Sequence, residues 1–430
     1  MIKEMNCTTS QVRSMLAPYA GEISAEEIKK LDIITKYGIE FSKELRDAAD
    51  RENIMLIVNL AADDRNALIN EYLVQNQKEK LDAAIKAIVQ IANVEKVLII
   101  KAKGSSYIPA DKEMKVLDVE QNPVLREESA LYYIERTGEL RSCPLEKEYP
   151  SQGLYGQNCI TIDGETLCRM YAMAKGESSS KLVIVKKDGE SWLAEVSAGT
   201  GLGTFLTECN IQPQKNVLLG GVLGKFVGKD ELDRETIRED AIYDLIWILE
   251  EKDCLADITF QMAEEAKEKS CGKCVLCREG TWHISDILKG ITEGKAKRED
   301  LEMILDIGPL IEAGAFCHFG QKMAKLFVSS VEKNRSELEA HFMKKTCSAG
   351  VCKAFAKLVI DPTKCTGCMD CAEECSEDAI SGKKGFIHMI DLDLCENCGK
   401  CVKVCEENAI VIQDGTIRIP KKLVKVGKFK

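Results

Sequence analysis

Long apolar runs are missing from this chain of 430 residues. A membrane-crossing helix needs roughly 18 apolar residues in succession, and the best stretch, Val217 to Val227, is broken by three glycines and a lysine. No integral membrane segment is expected. Met1 to Ile23 shows no basic region followed by an apolar block and a small-residue cleavage site, so no secretory signal is expected and the cytoplasm is the expected location. An excess of basic charge is also absent: 59 lysines and arginines face 70 acids, for a net charge of −11. A nucleic-acid partner, which needs a cationic face, is therefore not expected. The sequence also contains no recognisable acid–base pair, no nucleophile with its base and no phosphate-binding lysine loop. The GTGLG of Gly199 to Gly203 lacks the third glycine, the following βαβ unit and the acidic residue about 20 positions on that a dinucleotide fingerprint requires. It reads as a glycine-rich β turn.

What the chain does have is cysteine, 20 in all. A reducing compartment argues against a disulfide framework. Six are scattered through the front of the chain (Cys7, Cys143, Cys159, Cys168, Cys209 and Cys254) and read as small buried hydrophobes. The other fourteen lie between Cys271 and Cys405, mostly in short-spaced groups, as expected for thiolates converging on soft metal centres.

The texture of the chain suggests four parts. From Ser24 to Ile100 helix and strand patterns alternate, with compact apolar runs at Ile54 to Leu60 and Val97 to Ile100 and helical spacing from Leu81 to Ile91. A loop-rich stretch, a short helix from Glu127 to Glu135 and a turn-rich segment through Pro144, Pro150, Gly153 and Gly156 come next. Lys181 to Lys229 reads as short strands around glycine turns, a small β module with one helix. Glu231 to Arg335 is charged and helix-periodic. The remainder after Lys345 is a cysteine-rich module with two similar halves.

Those halves are Cys365-x2-Cys368-x2-Cys371-x3-Cys375 and Cys395-x2-Cys398-x2-Cys401-x3-Cys405. In such repeated runs the first three cysteines hold one four-iron cluster and the fourth crosses to the other. One 4Fe-4S cluster is thus expected on Cys365, Cys368, Cys371 and Cys405, and a second on Cys395, Cys398, Cys401 and Cys375. A pair of zinc knuckles is the alternative, but closed tetrahedral sites have no reason to interleave. Ser376 and Glu406 stand where a proline usually follows the fourth cysteine. A third set, Cys271, Cys274 and Cys277 with Cys317 forty residues on, again supplies four thiolates for a 4Fe-4S cluster.

The segment Ser270-Cys-Gly-Lys-Cys274-x2-Cys277-Arg-Glu-Gly-Thr281 with its later lone cysteine resembles the cluster-binding region of the flavin-carrying, NADH-oxidising subunit of respiratory complex I and its relatives. Among those relatives, the β subunits of multimeric iron hydrogenases and NAD-linked formate dehydrogenases share the two-cluster tail. Tyr149 to Gly156 with Gly164 to Leu167, the strip Glu127-Glu-Ser-Ala-Leu131 and the strand end Ile57-Val-Asn59 are similar to further family segments, and Lys181 to Val227 resembles its ubiquitin-like domain.

The departures fall together in one place. Family members that bind FMN carry a G-R-G-G-A-G-F-type loop whose glycines let backbone N–H groups approach phosphate. Here the corresponding stretch, Lys30 to Ser42, has the single glycine Gly38, Arg126 replaces the glycine of G-E-E, and Ile162-Asp163 replace paired asparagines. This reads as a flavin fold without its flavin. The competing reading keeps a flavin in an altered pose on Asn59, Asp63, Asp64, Glu127 and Glu128.

Cys347 and Cys352, with His341 six residues before them and His388 in the loop between the ferredoxin halves, form a candidate zinc set. The resemblance supports it, since hydrogenase-type β subunits carry an H-x5-C-x4-C element and a later histidine at similar places. Two free thiols and surface histidines are the alternative. His318, beside Cys317, is expected to tune or shield the cluster, and His283 to be a packing residue.

The expectation is therefore a multidomain α/β plus α protein. It comprises a degenerate FMN-binding-like α/β domain (1–178), a ubiquitin-like β-grasp domain of the soluble-ligand-binding type (179–230), a helical 4Fe-4S domain (231–345), and a zinc hinge with a bacterial-type 2x4Fe-4S ferredoxin domain (346–430). The expected function is electron relay through three 4Fe-4S clusters, with zinc and without FMN, in a cytoplasmic multi-subunit oxidoreductase of an anaerobe. Expected partners are a 2Fe-2S thioredoxin-like subunit, a catalytic hydrogenase, dehydrogenase or flavin subunit, and ferredoxin, toward which the lysine-rich stretch from Lys421 could steer. The alternative function is an FMN-dependent NAD(P)H dehydrogenase subunit with an altered flavin site.

Overall fold

The computed structural model describes residues 3–4, 15–35, 40–62, 68–141, 158–241, 243–355, 357–413 and 417–429. Cys7, Gly38, Asp63, Asp64, Cys143 and the segment Tyr149 to Gly156 lie outside them. Two compact units divide the chain. One holds residues 1–250, 261–285 and 301–335, and the other holds 251–260, 286–300 and 336–430.

The first unit opens with an α/β layer. Strands β1 (Ile54–Leu60), β2 (Lys96–Ala102), β3 (Lys115–Val119) and β4 (Asn158–Asp163) form an all-parallel sheet in the order β3-β2-β1-β4. All seven residues of β1 are buried, as expected for a central parallel strand covered on both faces. Helices α1 (Phe41–Ala49), α2 (Ile69–Asn76), α3 (Lys78–Ile91), α4 (Glu128–Thr137) and α5 (Gly164–Ala174) belong to this layer. In α3 the apolar residues Leu81, Ala84, Ile85 and Ile88 recur at helical spacing and are buried. Chain order reverses between β1 and β4, which places the ligand crevice of such a sheet outside the carboxyl ends of these two strands.

A second sheet is built from β5 (Ser180–Lys187), β6 (Glu190–Ser197), β7 (Val217–Leu219), β8 (Lys225–Val227) and β9 (Leu245–Ile248), in the order β6-β5-β9-β7-β8, with the two-residue strand Lys3–Glu4 parallel to β6 at its edge. The hairpin β5–β6 turns at Asp188 and Gly189, both at positive φ. Its central strand β9 pairs parallel with β5 and antiparallel with β7. From sequence the module was expected to close at residue 230, with helices alone beyond it. Instead, the buried Leu245, Ile246 and Ile248 complete the sheet, because a four-residue apolar run fits a central strand as well as one helical turn.

Four long helices come after the sheet: α6 (Leu255–Lys269), α7 (Val275–Thr292), α8 (Arg298–Gly314) and α9 (His318–Met343). Glycine allows the close approach of α7 and α8, since a Cβ on Gly280 would stand 2.7 Å from Ile311 Cδ1. The second unit ends in a module of short elements. Strand β10 (Leu358–Ile360) pairs antiparallel with β13 (Ile410–Ile412), and β11 (Ile380–Ser381) pairs with β12 (Met389–Ile390). Two single-turn helices, α10 (Asp370–Glu373) and α11 (Lys400–Val404), complete its two halves.

Three of the front cysteines, Cys159, Cys168 and Cys254, are buried thiols. Cys209 is not: it is half-buried and disulfide-bonded.

Candidate metal centres

In the terminal module the eight cysteines line two separate cavities. One is bounded by Cys365, Cys368, Cys371 and Cys405 with Ile360, Ala409 and Ile410, and the other by Cys375, Cys395, Cys398 and Cys401 with Leu358, Ile380 and Ile390. The fourth cysteine of each run therefore stands with the first three of the other. The geometry arises from the short helices: Cys371 and Cys401 sit buried on α10 and α11, and the turns leading to them pass through positive φ at Gly367, Met369, Asn397 and Gly399. A Cβ on Gly367 would come within 2.7 Å of the Phe386 carbonyl oxygen, so no side chain fits there.

The thiols in each cavity disfavour one another's ionisation. Burial first, and then Cys368, Cys365, Cys405 and Cys401, push the Cys371 thiol up to about 12. Cys401 is raised by burial and by Cys395, Cys398 and Cys375. Four thiolates in one apolar cavity need a cationic centre, and this donor set fits a 4Fe-4S cluster.

The Cys271, Cys274, Cys277 and Cys317 set spans the start of α7 and the residue before α9. Cys277 is buried at the first turn of α7, and a Cβ on Gly320 would lie 3.3 Å from its Sγ and 2.5 Å from Ala315 Cβ. Burial raises the Cys277 thiol, opposed by the Ser270 hydroxyl and reinforced by Cys274 and Cys271. His318 pairs with Glu127, its Nδ1 3.3 Å from a carboxylate oxygen, and that hydrogen bond raises its pKa. His283 is exposed beside Trp282, contrary to the packing role expected for it.

A third kind of site gathers Cys254, His341, Cys347 and Cys352, whose ligand atoms all lie within 4.8 Å of one another. Cys254 Sγ is 3.1 Å from His341 Nε2 and 3.5 Å from Cys352 Sγ, and Cys352 Sγ is 3.5 Å from the same nitrogen. A tetrahedral zinc ion with bonds of about 2.3 Å to sulfur and about 2.0–2.1 Å to nitrogen needs edges of about 3.5–3.8 Å. The donors fit. His341 Nδ1 lies 2.8 Å from the Glu337 carbonyl oxygen, which fixes Nδ1 as the donor and leaves the Nε2 lone pair toward the sulfurs. With no ion bound, burial opposes a proton on His341 but hydrogen bonding to Cys254, Cys347 and the Glu337 carbonyl outweighs it and raises the pKa to about 10, so a zinc ion would take the place of the Nε2 proton. Cys254 and Cys352 hold Cys347 on the thiolate side.

His388 is not in this group. It is buried in the ferredoxin module, with Nε2 3.1 Å from Met369 Sδ and Nδ1 3.8 Å from Cys365 Sγ. A Cβ on Gly382 would fall 2.0 Å from its Cδ2, so the ring is locked against that backbone. Sequence reasoning missed Cys254 because it lies 87 residues from His341 with no second ligand beside it to form a motif.

At the β1/β4 crevice the flavin-type positions are engaged by the protein itself. Asn59 donates from Nδ2 to the Leu125 carbonyl at 2.8 Å and accepts from Ala61 N at 3.1 Å. Glu128 accepts from the Thr161 hydroxyl, and Asp163 caps α5 through Thr166 N at 2.9 Å. Arg126, only 5% exposed, donates from Nε to the Ala62 carbonyl at 3.3 Å and from Nη2 to Asp244 at 2.6 Å. Asp244 and Glu165 also flank the fully buried Lys181, each 3.4 Å away.

Residues 257–341 match the NADH-ubiquinone oxidoreductase-F iron-sulfur binding region, and residues 357–380 and 388–411 each match a 4Fe-4S binding domain. Over 137 residues, 32% of this chain and 28% of the relative, the sequence is 36% identical to NADP-reducing hydrogenase subunit HndC of Solidesulfovibrio fructosivorans. Over 94 residues, 22% of this chain and 21% of the relative, it is 35% identical to the F subunit of the NADH-quinone oxidoreductase of Mycobacterium tuberculosis. The matches thus span under a third of these relatives' length. The fold is similar to that of a chain in the crystal structure of an NAD+-reducing [NiFe]-hydrogenase in the H2-reduced state, with a TM-score of 0.64 and 18% identity over 74% of this chain and 62% of that one. The chain thus carries an iron–sulfur binding region of the NADH-ubiquinone oxidoreductase F type followed by two 4Fe-4S binding domains, and over part of its length it is similar to the NADH-quinone oxidoreductase F subunit and the hydrogenase subunit HndC.

Proposed function

We propose that this chain is an electron-relay subunit of a multi-subunit oxidoreductase, of hydrogenase, formate dehydrogenase or electron-bifurcating type, that holds three 4Fe-4S clusters and one zinc and no flavin of its own. The observation that carries this reading is the contrast between its sites. Thiols line two crossed cavities, whereas just past the carboxyl end of β1, where a parallel sheet receives its ligand, Arg126 is buried and tied at once to Ala62 and Asp244. When bound, the clusters accept and release single electrons. The chain's own part is to bury them and hold their thiolates at fixed distances, which sets their potentials. In this reading Cys271, Cys274, Cys277 and Cys317 hold one cluster, and the crossed sets hold the other two. Cys254, His341, Cys347 and Cys352 hold zinc as a structural tie, and the sheet of residues 180–248 is a β-grasp module of the soluble-ligand-binding type. Neighbouring subunits in a cytoplasmic, anaerobic setting, among them a 2Fe-2S thioredoxin-like protein, would supply the flavin and the catalytic centre.

The test is to purify the complex without oxygen and quantify iron, zinc and flavin per chain. About twelve iron, one zinc and no flavin belonging to this chain are expected. One FMN per chain, reducible by NADH or NADPH in the isolated subunit, would overturn the relay reading in favour of a nucleotide-oxidising subunit.

A further inference from the structure

In a chain with a net charge of −11, the ferredoxin module gathers six exposed lysines along one ladder. Phe386 pairs antiparallel with Lys425, Ile387 N donates to the Val424 carbonyl at 2.9 Å, and Val426 N donates to the Gly385 carbonyl at 3.1 Å. This brings Lys383 and Lys384 alongside Lys421, Lys422, Lys425 and Lys428, all exposed. None of the six has an ion-pair partner among the described residues, unlike Lys78, Lys86, Lys101 and Lys103, each of which meets a carboxylate. Their charge is not neutralised by any carboxylate among the described residues. Between them Leu423 and Val426 are 41% and 37% exposed, giving an apolar centre inside a cationic rim, the composition of a protein interface.

The ladder also lies against a cluster site. Gly385 N donates to the Gly367 carbonyl at 3.0 Å, and Gly367 sits beside the exposed Cys368. The lining of the same cavity carries Glu406 and Glu407, so the carboxylates at the site contrast with the lysines of the ladder. Asp370, on α10, also borders it. We propose that the lysine ladder is the docking surface for a small acidic redox protein that exchanges single electrons with the Cys365, Cys368, Cys371 and Cys405 site. The contrast between the ladder and the cavity's carboxylates selects its orientation, because an acidic partner is drawn to the lysines and repelled by the glutamates. An anionic membrane would meet the same lysines, but it has no use for an exposed thiolate site beside them. This inference rests on the relay reading of the module.

The test uses the purified holoprotein and a reduced plant-type 2Fe-2S ferredoxin as probe, followed by stopped-flow absorbance. One electron leaves the probe and enters the module, and no bond is made or broken. The second-order rate is expected to fall steeply as salt is raised and to fall about tenfold or more in K383E/K384E/K421E/K425E. The neutral set K383Q/K384Q/K421Q/K425Q should lose less. Iron content and the EPR spectra of the reduced clusters report on folding and on the relay reading separately. With both unchanged, a rate indifferent to salt and to both variants would sink the docking surface alone. Binding of phosphatidylglycerol vesicles that is lost in the variants, without any change in the ferredoxin rate, would replace it with a membrane surface.

Discussion

Cys254 Sγ lies 3.1 Å from His341 Nε2 although 87 residues separate them. The contact ties the residue just before α6 to the last turn of α9, and Cys347 and Cys352 close the group. If zinc sits there, Cys254→Ser should leave zinc well below one per chain and cost about 3 kcal/mol, one ligand's share of the roughly 10–16 kcal/mol such ions contribute. His388→Ala should keep its zinc. Metal analysis of the two variants, purified side by side, decides between this donor set and one that includes His388.

The crossed cavities give a double-mutant signature. Cys371→Ser with Cys405→Ser removes two ligands from one cavity, whereas Cys371→Ser with Cys375→Ser removes one from each. The first pair should lose about four iron and the second about eight, by iron analysis and EPR. The reverse pattern, about eight iron from the first pair and about four from the second, would mean that the fourth cysteine of each run serves its own half.

Arg126→Ala would take one cationic partner from Asp244, which is fully buried beside Lys181. Removing one partner from a buried pair costs about 3–5 kcal/mol, so a large drop in the thermal midpoint is expected. The variant should still copurify without FMN, because Asn59 and Asp163 remain engaged elsewhere. Stoichiometric FMN in it would show that Arg126 alone keeps flavin out.

Glu44, on α1, has a buried and unpartnered Oε2. Burial first and the neighbouring Glu128 second raise its pKa to about 8. A carboxyl raised on folding contributes stability that is complete below its unfolded pKa and is lost as pH climbs through the folded value. The thermal midpoint should therefore decline between about pH 5 and 8, a loss on the order of 3 kcal/mol. Glu44→Gln should flatten that decline.

Where several residues repeat a local pattern, the sequence was easy to read. Two identical C-x2-C-x2-C-x3-C runs announced eight ligands, and the apolar runs at Ile54 to Leu60 and Leu81 to Ile91 announced a strand and a helix. Harder to read were features made by distant segments meeting. Cys254 has no local motif, Leu245–Ile248 is too short to reveal its type, and His388, 36 residues past Cys352 in sequence, packs on Gly382 and Met369 instead of joining its expected partners. Arg126 was visible as a departure, yet its partners Ala62 and Asp244 are known only once the two sheets are built.

The crossing of the terminal cysteines also bears on the order of assembly. Emerging from the ribosome, the chain has all four thiols of the Cys375, Cys395, Cys398 and Cys401 cavity once Cys401 is out, while the cavity that Cys365 begins still awaits Cys405. The site whose first ligand is made earliest is thus the last to be completed, and iron delivered during synthesis meets a finished second site before a finished first.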